Sequence, residues 1–421
     1  MSVGKFDAVI VGGGPAGLSA AYFLAKKGYQ VILMEKGRVL GSKNVYGGKV
    51  YASIFKELFP GFEKEAPIHR WVTKEIFSVL SGDDSTTFSY NSKDSTAFTA
   101  NLTELCSWLG KKAEEAGANI FTETKVTSVY KENNKVKGVY VGGERVDADL
   151  VVIAEGANRL LSERSGIAPT PPLSSIALGY KESIKLGEKT IQERFNLDDR
   201  EGASWMFLGD FTNGIPDGGF LYTFKDYVSV GVVLSLSEAT NIADSHITLF
   251  LENLRNHPLL KNLIKGGETI EYASHLTIVS PLEYMPGKLS GEGYAIIGDT
   301  AGLLGNMGYT FRGVDFAAYS GYVLAETFEK MRNGEWESYD KTMRNTWVFN
   351  EIKRFSKVHE IMKQRRLLNV YPMLLNDIMR SIFHIEKSVP KVGDAALEAL
   401  KKRRVSPISL LSDTIKISRE I

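Results

Sequence analysis

The chain is poor in cysteine, has no long apolar run and carries no excess of either charge. Among its 421 residues there is one cysteine, Cys106, which excludes an intrachain disulfide, a CxxC redox pair and a four-cysteine iron–sulfur site. No run of 18 apolar residues exists, so no membrane-spanning helix is expected. The net charge of +1 argues against a general nucleic-acid binder.

The composition is that of an ordinary globular protein, with 43% hydrophobic and 24% charged residues. The first residues show no secretory signal, and the single thiol fits a reducing compartment, so a cytoplasmic location is expected. Charge is unevenly distributed, because residues 353–421 carry 15 Lys and Arg against 7 Asp and Glu. The C-terminal region is therefore basic, and the rest of the chain is acidic.

The first 35 residues predict a βαβ unit. Residues 6–11 (FDAVIV) and 31–34 (VILM) are apolar and rich in β-branched side chains, which predicts buried strands. Residues 17–27 lie between them, show a helical pattern and are followed by Gly28.

A glycine-rich turn with the pattern G-x-G-x-x-G joins this strand to the helix. Gly12 permits a tight turn, Gly14 lets the backbone approach a pyrophosphate, and Gly17 lets helix and strand pack closely. The helix N-terminus attracts phosphate, and Glu35 at the end of the second strand can bind ribose hydroxyls. An acid at that position disfavours a 2′-phosphate, so the pattern predicts FAD or NAD rather than NADP.

Two later segments favour FAD over NAD. Residues 148–166 and 293–321 each predict a strand that runs into a turn of small residues. Asp299 follows the second of these strands, where its carboxylate can accept hydrogen bonds from a ribityl chain, which NAD lacks. A helix beginning near Gly313 would direct its positive end at a ring that gains negative charge. A second G-x-G-x-x-G after a strand is missing, which weakens a pyridine-nucleotide-disulfide-reductase interpretation.

The residues that identify a family are GSKNVYGGKVYA (41–52) and GDTAGLLGNMGYTFRGVDFAAYSG (298–321). With them the chain resembles the FAD-dependent monooxygenase and geranylgeranyl-reductase superfamily. Within it, the chain is most similar to the electron-transfer-flavoprotein:quinone oxidoreductases of the FixC (EtfC-like) type. One departure is Glu155-Gly156, where the family usually has Asp-Gly.

The resemblance implies an FAD site and neither a catalytic side chain nor a metal ligand. The six histidines are scattered and also indicate no metal site. The implied cofactor-binding residues, including those that the nucleotide motif predicts, are Gly12, Gly14, Pro15, Ala16, Gly17, Glu35, Lys36, Ser42, Lys43, Asn44, Val45, Gly47, Gly48, Val126, Glu155, Gly156, Gly298, Asp299, Gly302, Gly308, Tyr309, Arg312 and Gly313. Lys43 and Arg312 are the cations expected near the flavin, where they would raise its potential or merely contact solvent or phosphate.

The resemblance also implies the fold: an α/β protein with a Rossmann-type, glutathione-reductase-like FAD-binding domain, an inserted mixed-sheet α+β domain and a helical C-terminal region. Residues 1–169 would form the first part of the FAD-binding domain, with a small insertion near 50–100. The sheet domain on the substrate and quinone side would span 170–290. Residues 291–335 would return to the FAD-binding domain, and 336–421 would be helical and basic.

The expected function is transfer of electrons from an electron transfer flavoprotein, with its alpha and beta subunits, to a membrane quinone. A separate ferredoxin-like 4Fe-4S subunit would assist, since one cysteine cannot hold such a cluster. Two alternatives stay open: a geranylgeranyl (prenyl-lipid) reductase and a non-catalytic flavoprotein that scaffolds a redox complex. Residues 367–385 predict an amphipathic helix with basic flanks, which indicates either docking on the inner face of the cell membrane or packing on the core.

Overall fold

The computed structural model describes residues 3–42, 48–212, 215, 218–239, 247–364 and 366–420. Within these ranges the chain forms two large β-sheets surrounded by helices, and its last hundred residues are mainly helical. This architecture confirms the predicted class, an α/β protein with a Rossmann-type sheet, a second mixed sheet and a helical C-terminal region.

The described strands are β1 (Val3–Val11), β2 (Val31–Met34), β3 (Lys49–Tyr51), β4 (Arg70–Ser81), β5 (Asp84–Asn91), β6 (Ala97–Thr99), β7 (Asn119–Phe121), β8 (Val126–Glu132), β9 (Lys135–Val141), β10 (Glu144–Ile153), β11 (Ile176–Lys185), β12 (Glu201–Gly209), β13 (Gly218–Thr223), β14 (Tyr227–Ser235), β15 (Glu268–Ile278), β16 (Ser290–Gly291), β17 (Tyr294–Ile296), β18 (Gly305–Asn306) and β19 (Phe311–Arg312).

The described α-helices are α1 (Pro15–Lys26), α2 (Ser53–Leu58), α3 (Phe62–Glu65), α4 (Leu102–Glu115), α5 (Leu160–Arg164), α6 (Glu188–Phe195), α7 (Leu236–Ala239), α8 (Ile247–Asn256), α9 (Pro258–Ile264), α10 (Pro281–Tyr284), α11 (Val314–Arg332), α12 (Ser338–Arg344), α13 (Trp347–Arg354), α14 (Val358–Met362), α15 (Tyr371–Phe383), α16 (Val392–Lys402) and α17 (Pro407–Glu420). Short 3₁₀ turns lie at Gly156–Asn158, Leu173–Ser175, Asp210–Thr212 and Gly298–Ala301, and a π-helical turn at Arg366–Val370.

The first sheet is parallel at its centre, with strand order β16-β17-β10-β1-β2-β7. β1 pairs in parallel with β2 on one side and with β10 on the other, so the strand order changes direction beside β1. Ligands bind at the carboxyl ends of the strands next to such a switch point. The predicted N-terminal strands and helix are confirmed, and the strand predicted at the start of residues 148–166 is the second half of β10.

The second sheet has the order β15-β11-β14-β13-β12-β4-β6-β3, and β5 pairs with β4. Five of its strands, β11 to β15, lie between residues 170 and 290. Strands β3 to β6 join it as well, so the segment predicted as a small insertion near 50–100 extends this sheet. The boundaries of the four predicted parts of the chain remain proposals.

The core of the first sheet depends on a close contact between α1 and α11. A Cβ atom on Gly321 in α11 would lie 2.4 Å from the Ala16 carbonyl oxygen and 2.6 Å from the Ala20 nitrogen. Ser19 donates a hydrogen bond to the Ala318 carbonyl at 2.6 Å across the same contact. The two helices can therefore bring their N-terminal ends close together at the edge of the sheet.

The C-terminal helix α15 packs on the β4–β5 hairpin. Leu374 and Asn376 of α15 are buried, and Asn376 accepts a hydrogen bond from Thr86 at 2.5 Å. The predicted amphipathic segment therefore uses part of its apolar face for the protein core. None of the helices in the described ranges combines the length and the apolar character that a membrane crossing requires.

The α1–α11 contact predicts a large effect of a side chain at residue 321. We expect Gly321→Val to lower the free energy of unfolding by about 2–3 kcal/mol, because its Cβ would meet backbone atoms that cannot rotate away. Guanidinium unfolding measures the change. Gly393→Val is the matched control, since a Cβ on that helical glycine meets nothing within 4 Å. Equal unfolding midpoints for the two variants would contradict the packing described here.

Candidate functional site

Four parallel strands of the first sheet end at one edge and deliver the predicted motifs to it. β1 is followed by Gly12, β2 by Glu35, β10 by Ala154 and β17 by Ile297 and Gly298. Because carboxyl ends of parallel strands meet at the same edge, residues far apart in sequence are brought together there.

The glycine turn after β1 has no room for side chains at two positions. Gly12 has φ +112°, and a Cβ there would lie 2.3 Å from the Ala154 carbonyl oxygen. A Cβ on Gly17 would lie 2.1 Å from the Gly12 carbonyl oxygen. These glycines are thus required by close backbone approach, as the motif predicts.

The N-terminus of α1 is left free for an anion. Gly14 is its N-cap residue and supplies no side-chain hydrogen bond, and the first turn contains no acidic residue. Gly14, Pro15 and Ala16 line a cleft, so the unpaired N–H groups and the positive end of the helix dipole lie at its wall. This geometry suits a phosphate group.

Glu35 binds the glycine turn itself. Its Oε2 accepts a hydrogen bond from the Gly13 N–H at 2.7 Å, and its Oε1 accepts one from the Gly37 N–H at 2.6 Å. Each carboxylate oxygen has a second lone pair, so Glu35 can also accept hydrogen bonds from ribose hydroxyls. Glu35 therefore orders the loop, and its binding of ribose hydroxyls stays a prediction.

Glu155, which replaces the expected aspartate, caps α5. Its Oε2 accepts a hydrogen bond from the Leu161 N–H at 2.6 Å, and its Oε1 accepts from the Ser162 N–H at 2.8 Å and the Ser162 hydroxyl at 2.7 Å. The carboxylate is thus used by the protein backbone, and the adjacent Gly156 is the residue of this pair that lines the cleft.

The carboxylate of Asp299 has no hydrogen-bond partner within the described ranges. It lines the cleft and accepts no side-chain hydrogen bond from the described residues. Burial raises the pKa of Asp299 from 3.8 to about 6. A carboxylate in such a place is unfavourable until a ligand donates hydrogen bonds to it.

A buried arginine holds the turn that carries Asp299. Arg159 donates hydrogen bonds to the Thr300 carbonyl through Nε at 3.1 Å and Nη2 at 2.9 Å, and to the Tyr284 carbonyl at 2.8 Å. Its guanidinium also lies 3.8 Å from the centre of the Tyr284 ring. Arg159 was not among the predicted site residues, since nothing in the sequence connects it with residue 299.

The cleft lies between the two sheets and encloses about 1350 Å³, counting the part that is open to solvent. Seven predicted site residues line it: Gly14, Pro15, Ala16, Gly48, Gly156, Asp299 and Gly313. Gly313, Val314 and Ala317 belong to the start of α11, so the positive end of a second helix dipole also reaches the cleft.

The opposite wall consists of second-sheet residues that the sequence did not predict. They are Lys49, Gly179, Tyr180, Lys181, Phe220, Tyr222, Val233, His275, Leu276 and Thr277. The alternation in GGFLYTF places Phe220 and Tyr222 on one face of a strand, which is a signal for a shared face. This alternation does not indicate which face of the strand lines the cleft.

The remaining predicted residues have other surroundings. Arg312 forms an ion pair with the buried Asp315 at 2.6 Å and lies 4.6 Å from the Phe316 ring centre, so its charge is balanced within the chain. Tyr309 and Lys36 are exposed, Ser42 donates to the Val39 carbonyl, and Val126 pairs with β9. Gly302, Gly298 and Gly308 have positive φ angles in the turns near α11. Lys43, Asn44, Val45 and Gly47 lie outside the described residues.

Other chemistry has little support in the described residues. Burial raises the pKa of the Cys106 thiol above its ordinary range. His275 contacts the Leu276 carbonyl through Nδ1, and burial lowers its pKa. Across the described residues, no group of three His, Cys, Asp or Glu side chains is arranged to hold a metal ion.

These residues fit a dinucleotide that carries a polyol arm. The free helix end at Gly14 suits a pyrophosphate, Glu35 suits ribose hydroxyls, and the unpartnered carboxylate of Asp299 suits the hydroxyls of a ribityl chain. The fit rests on a cradle that side chains would fill and on one orphaned acid in the cleft.

Two relatives match over nearly the whole length of the chain. The chain is 34% identical over 428 residues to "Probable electron transfer flavoprotein-quinone oxidoreductase YdiS" of Escherichia coli strain K12, with 99% of each sequence covered. It is 35% identical over 431 residues to "Protein FixC" of Salmonella typhi, again with 99% of each covered.

Broader comparisons agree on the fold. The family profile described as "Pyridine nucleotide-disulphide oxidoreductase" matches residues 6–189. A geranylgeranyl bacteriochlorophyll reductase-like structure from Thermoplasma acidophilum has a TM-score of 0.72 at 19% identity, covering 98% of this chain and 99% of that one. The flavin-dependent brominase Bmp2 has a TM-score of 0.67 at 19% identity, covering 94% and 93%. The geometry of the cleft and the match to the family therefore support FAD as the cofactor of this chain.

Removal of the Asp299 carboxylate is expected to weaken FAD binding. We expect Asp299→Ala to raise the Kd for FAD about tenfold or more, because hydrogen bonds to a charged group contribute roughly 1.5–3 kcal/mol. Titration of the apoprotein with FAD, followed by fluorescence, measures the change. Asp94→Ala, at an exposed aspartate outside the cleft, is the control. Unchanged affinity in Asp299→Ala would remove this residue from the site.

The assignment of Asp299 to the FAD site also predicts how the affinity for FAD depends on pH. FAD affinity of the wild type should weaken as the pH falls through about 6, since protonation of Asp299 removes the charged acceptor. The apoprotein should behave in the opposite way. In the folded apoprotein the pKa of Asp299, about 6, lies above its unfolded value of 3.8. The wild-type apoprotein therefore loses stability relative to the Asp299→Asn variant as the pH rises from about 4 to 6.

Proposed function

Because the chain belongs to the family of electron transfer flavoprotein-quinone oxidoreductases that includes YdiS and FixC, we propose that it passes electrons from a reduced electron transfer flavoprotein to a quinone. The chain is an FAD-dependent oxidoreductase. The single observation that carries the specific proposal is identity above 30% over 99% of two relatives, one of them named for this reaction.

The chain's own residues divide into those that hold FAD and those that enclose it. The start of α1 would hold the pyrophosphate, Glu35 the ribose and Asp299 the ribityl chain. When bound, FAD accepts electrons in pairs and releases them singly or in pairs. The first turn of α11, with Gly313, Val314 and Ala317 in the cleft wall, would stabilise negative charge there.

The second sheet supplies an apolar wall for a flat acceptor. The side chains that line the cleft here are Phe220 on β13, Val233 on β14 and Leu276 on β15. Such side chains exclude water and pack against a ring, which suits a quinone. The geranylgeranyl reductase-like neighbour shares this fold at 19% identity, and that likeness supports the fold alone.

We include a ferredoxin-like iron–sulfur subunit in the proposal. The one cysteine, Cys106, is buried and cannot ligate a four-cysteine cluster. A cluster that takes part in the reaction would therefore belong to a separate chain. The proposal also places the protein in the cytoplasm, at the inner face of the cell membrane where quinone is available.

Anaerobic stopped-flow absorbance tests the donor and the acceptor separately. We expect reduced electron transfer flavoprotein to bleach the bound FAD at least tenfold faster than equimolar NADH, because no second dinucleotide motif follows a strand. A soluble quinone analogue should then restore the colour. Faster reduction by NADH would indicate a nicotinamide-dependent reductase instead.

Two glycine variants test whether the quinone binds in the cleft. Gly179→Leu should slow reoxidation by quinone about tenfold, because a side chain there narrows the cleft while its Cβ meets only the His275 carbonyl oxygen, at 3.6 Å. Gly287→Leu is the matched control, as its Cβ meets nothing within 4 Å. Equal rates in both variants would move the acceptor out of this cleft.

The C-terminal region offers a surface for anionic lipid. We call it the C-terminal apolar surface, and it consists of the exposed side chains of Phe383, Ile385, Val389, Val392, Leu397, Ile408, Leu411 and Ile415. Lys387, Lys391 and Lys401 are exposed among them. Apolar side chains with cationic neighbours favour binding at an anionic membrane interface.

Part of the basic run serves the fold instead. Lys402 pairs with Asp377 at 2.7 Å and Arg403 pairs with the same carboxylate at 2.5 Å, which ties α16 to α15. A test of lipid binding must therefore leave residues 402 and 403 in place.

Vesicle co-sedimentation tests this surface. The variant Ile408→Ser with Leu411→Ser should bind anionic phosphatidylglycerol vesicles at least fivefold less well, since about 0.8 kcal/mol is lost for each buried CH₂ removed from lipid. Phe121→Ser, at an exposed residue of the first sheet, is the control. Undiminished sedimentation of the double variant would exclude these residues from membrane contact.

A further inference from the structure

Lys49 is a nearly buried cation in the wall of the cleft. Its side chain is 6% exposed, and Nζ donates hydrogen bonds to Glu75 Oε1 at 2.7 Å and to the Ser204 hydroxyl at 3.4 Å. Nζ also lies 5.2 Å from the centre of the Tyr51 ring. A lysine in such a place is uncommon unless its charge is used or paired.

Glu75 connects this ammonium group to water. The Glu75 side chain is 43% exposed, whereas Lys49 beside it is almost completely covered. One member of the ion pair therefore faces solvent and the other faces the cleft. A proton can pass from solvent to the interior through these two groups without a water channel.

The surroundings of Lys49 keep it charged. Burial lowers the pKa of Lys49, but the Glu75 carboxylate and, once they ionise at high pH, Tyr51 and Tyr222 act in the other direction, and the pKa ends above its ordinary value. Tyr222, which lies in the same wall of the cleft, has its own pKa raised by burial to about 12 and stays neutral at pH 7. Within the part of the chain that the structure describes, Glu75, Tyr51 and Tyr222 are the charged or titratable groups that raise the pKa of Lys49, so at neutral pH the cleft contains a lysine ammonium.

The strand of Lys49 also reaches the start of α11. The Tyr51 hydroxyl donates to the Thr310 hydroxyl at 3.1 Å, and Thr310 and Gly313 line the cleft beside Lys49. The Lys49 side chain and the positive end of α11 thus both line the cleft, where they would stabilise an anionic reduced ring.

We propose that Lys49 is the proton donor to the bound quinone and that Glu75 replenishes its proton from solvent. Reduction of a quinone to a quinol takes two electrons and two protons. The reduced cofactor, when bound, would supply two electrons and one proton, and the Lys49 N–H bond would break as the second quinol O–H bond forms. Lys49 is left as a neutral amine, which takes up a proton by way of Glu75. This inference rests on the proposed function.

Half-reactions of the holoenzyme test the donor. Lys49→Met should slow reoxidation of the reduced enzyme by a soluble quinone about 100-fold, the usual range for loss of a general acid. Ferricyanide takes electrons without protons, so reoxidation by ferricyanide should change less than twofold. Lys181→Met is the matched comparison, because Lys181 lines the same cleft and pairs with Glu271 at 3.1 Å.

A comparison of the first turnover with later turnovers distinguishes a proton-transfer role of Glu75 from a structural role. In Glu75→Gln, steady-state quinone reduction should slow about tenfold more than the first turnover, since only later turnovers require a new proton. Equal slowing of both phases would make Glu75 a structural residue and overturn the relay.

A binding measurement gives a readout without turnover. The anion of 2-hydroxy-1,4-naphthoquinone should bind the oxidised holoenzyme about tenfold more weakly in Lys49→Met than in wild type, by calorimetry. Unchanged binding, or equal losses of quinone reduction in Lys181→Met and Lys49→Met, would overturn the assignment. If wild-type enzyme does not reduce quinone, the proposed function fails and the inference with it. If wild type reduces quinone and Lys49→Met matches it, only the inference fails.

Discussion

The structure depends on one close approach of backbones at the edge of the first sheet. Gly12, at the end of β1, lies against the Ala154 carbonyl at the end of β10, and Gly17 lies against Gly12 itself. No side chain fits at these contacts, so α1 begins directly above the sheet with its N–H groups free. Every predicted interaction with the cofactor follows from that placement, because Glu35, Asp299 and the start of α11 are positioned around the same turn.

Two acidic residues of the site, Glu35 and Glu155, accept hydrogen bonds from the protein's own backbone. Glu35 orders the glycine turn through the Gly13 N–H, and Glu155 caps α5 through the Leu161 N–H. Asp299 differs from both, since its carboxylate has no donor among the described residues. The site therefore combines satisfied carboxylates, which fix the loops, with one unsatisfied carboxylate, which gains hydrogen bonds only when a ligand is bound.

The second sheet gives the cleft its chemical character. It adds aromatic and apolar side chains and two lysines, each paired with a carboxylate that is more exposed than the lysine. The first sheet thus carries the glycine turn and the acidic residues that fit a dinucleotide, and the second sheet forms the opposite wall of the cleft. Relatives that share the first sheet can differ in reaction through the second one.

The sequence by itself determined the nucleotide-binding half. The apolar runs at 6–11 and 31–34, the glycine spacing and Glu35 are local patterns, and local patterns suffice where a motif is contiguous. Only the tertiary structure decided that residues 49–99 extend the second sheet, that Glu155 caps a helix and that Arg312 is neutralised by Asp315. It also decided that Lys49 shares a cleft with Asp299, 250 residues further along the chain. The physical reason is that strand pairing and burial of charge depend on which surfaces meet, and a strand's alternation defines two faces without telling which one meets the cofactor.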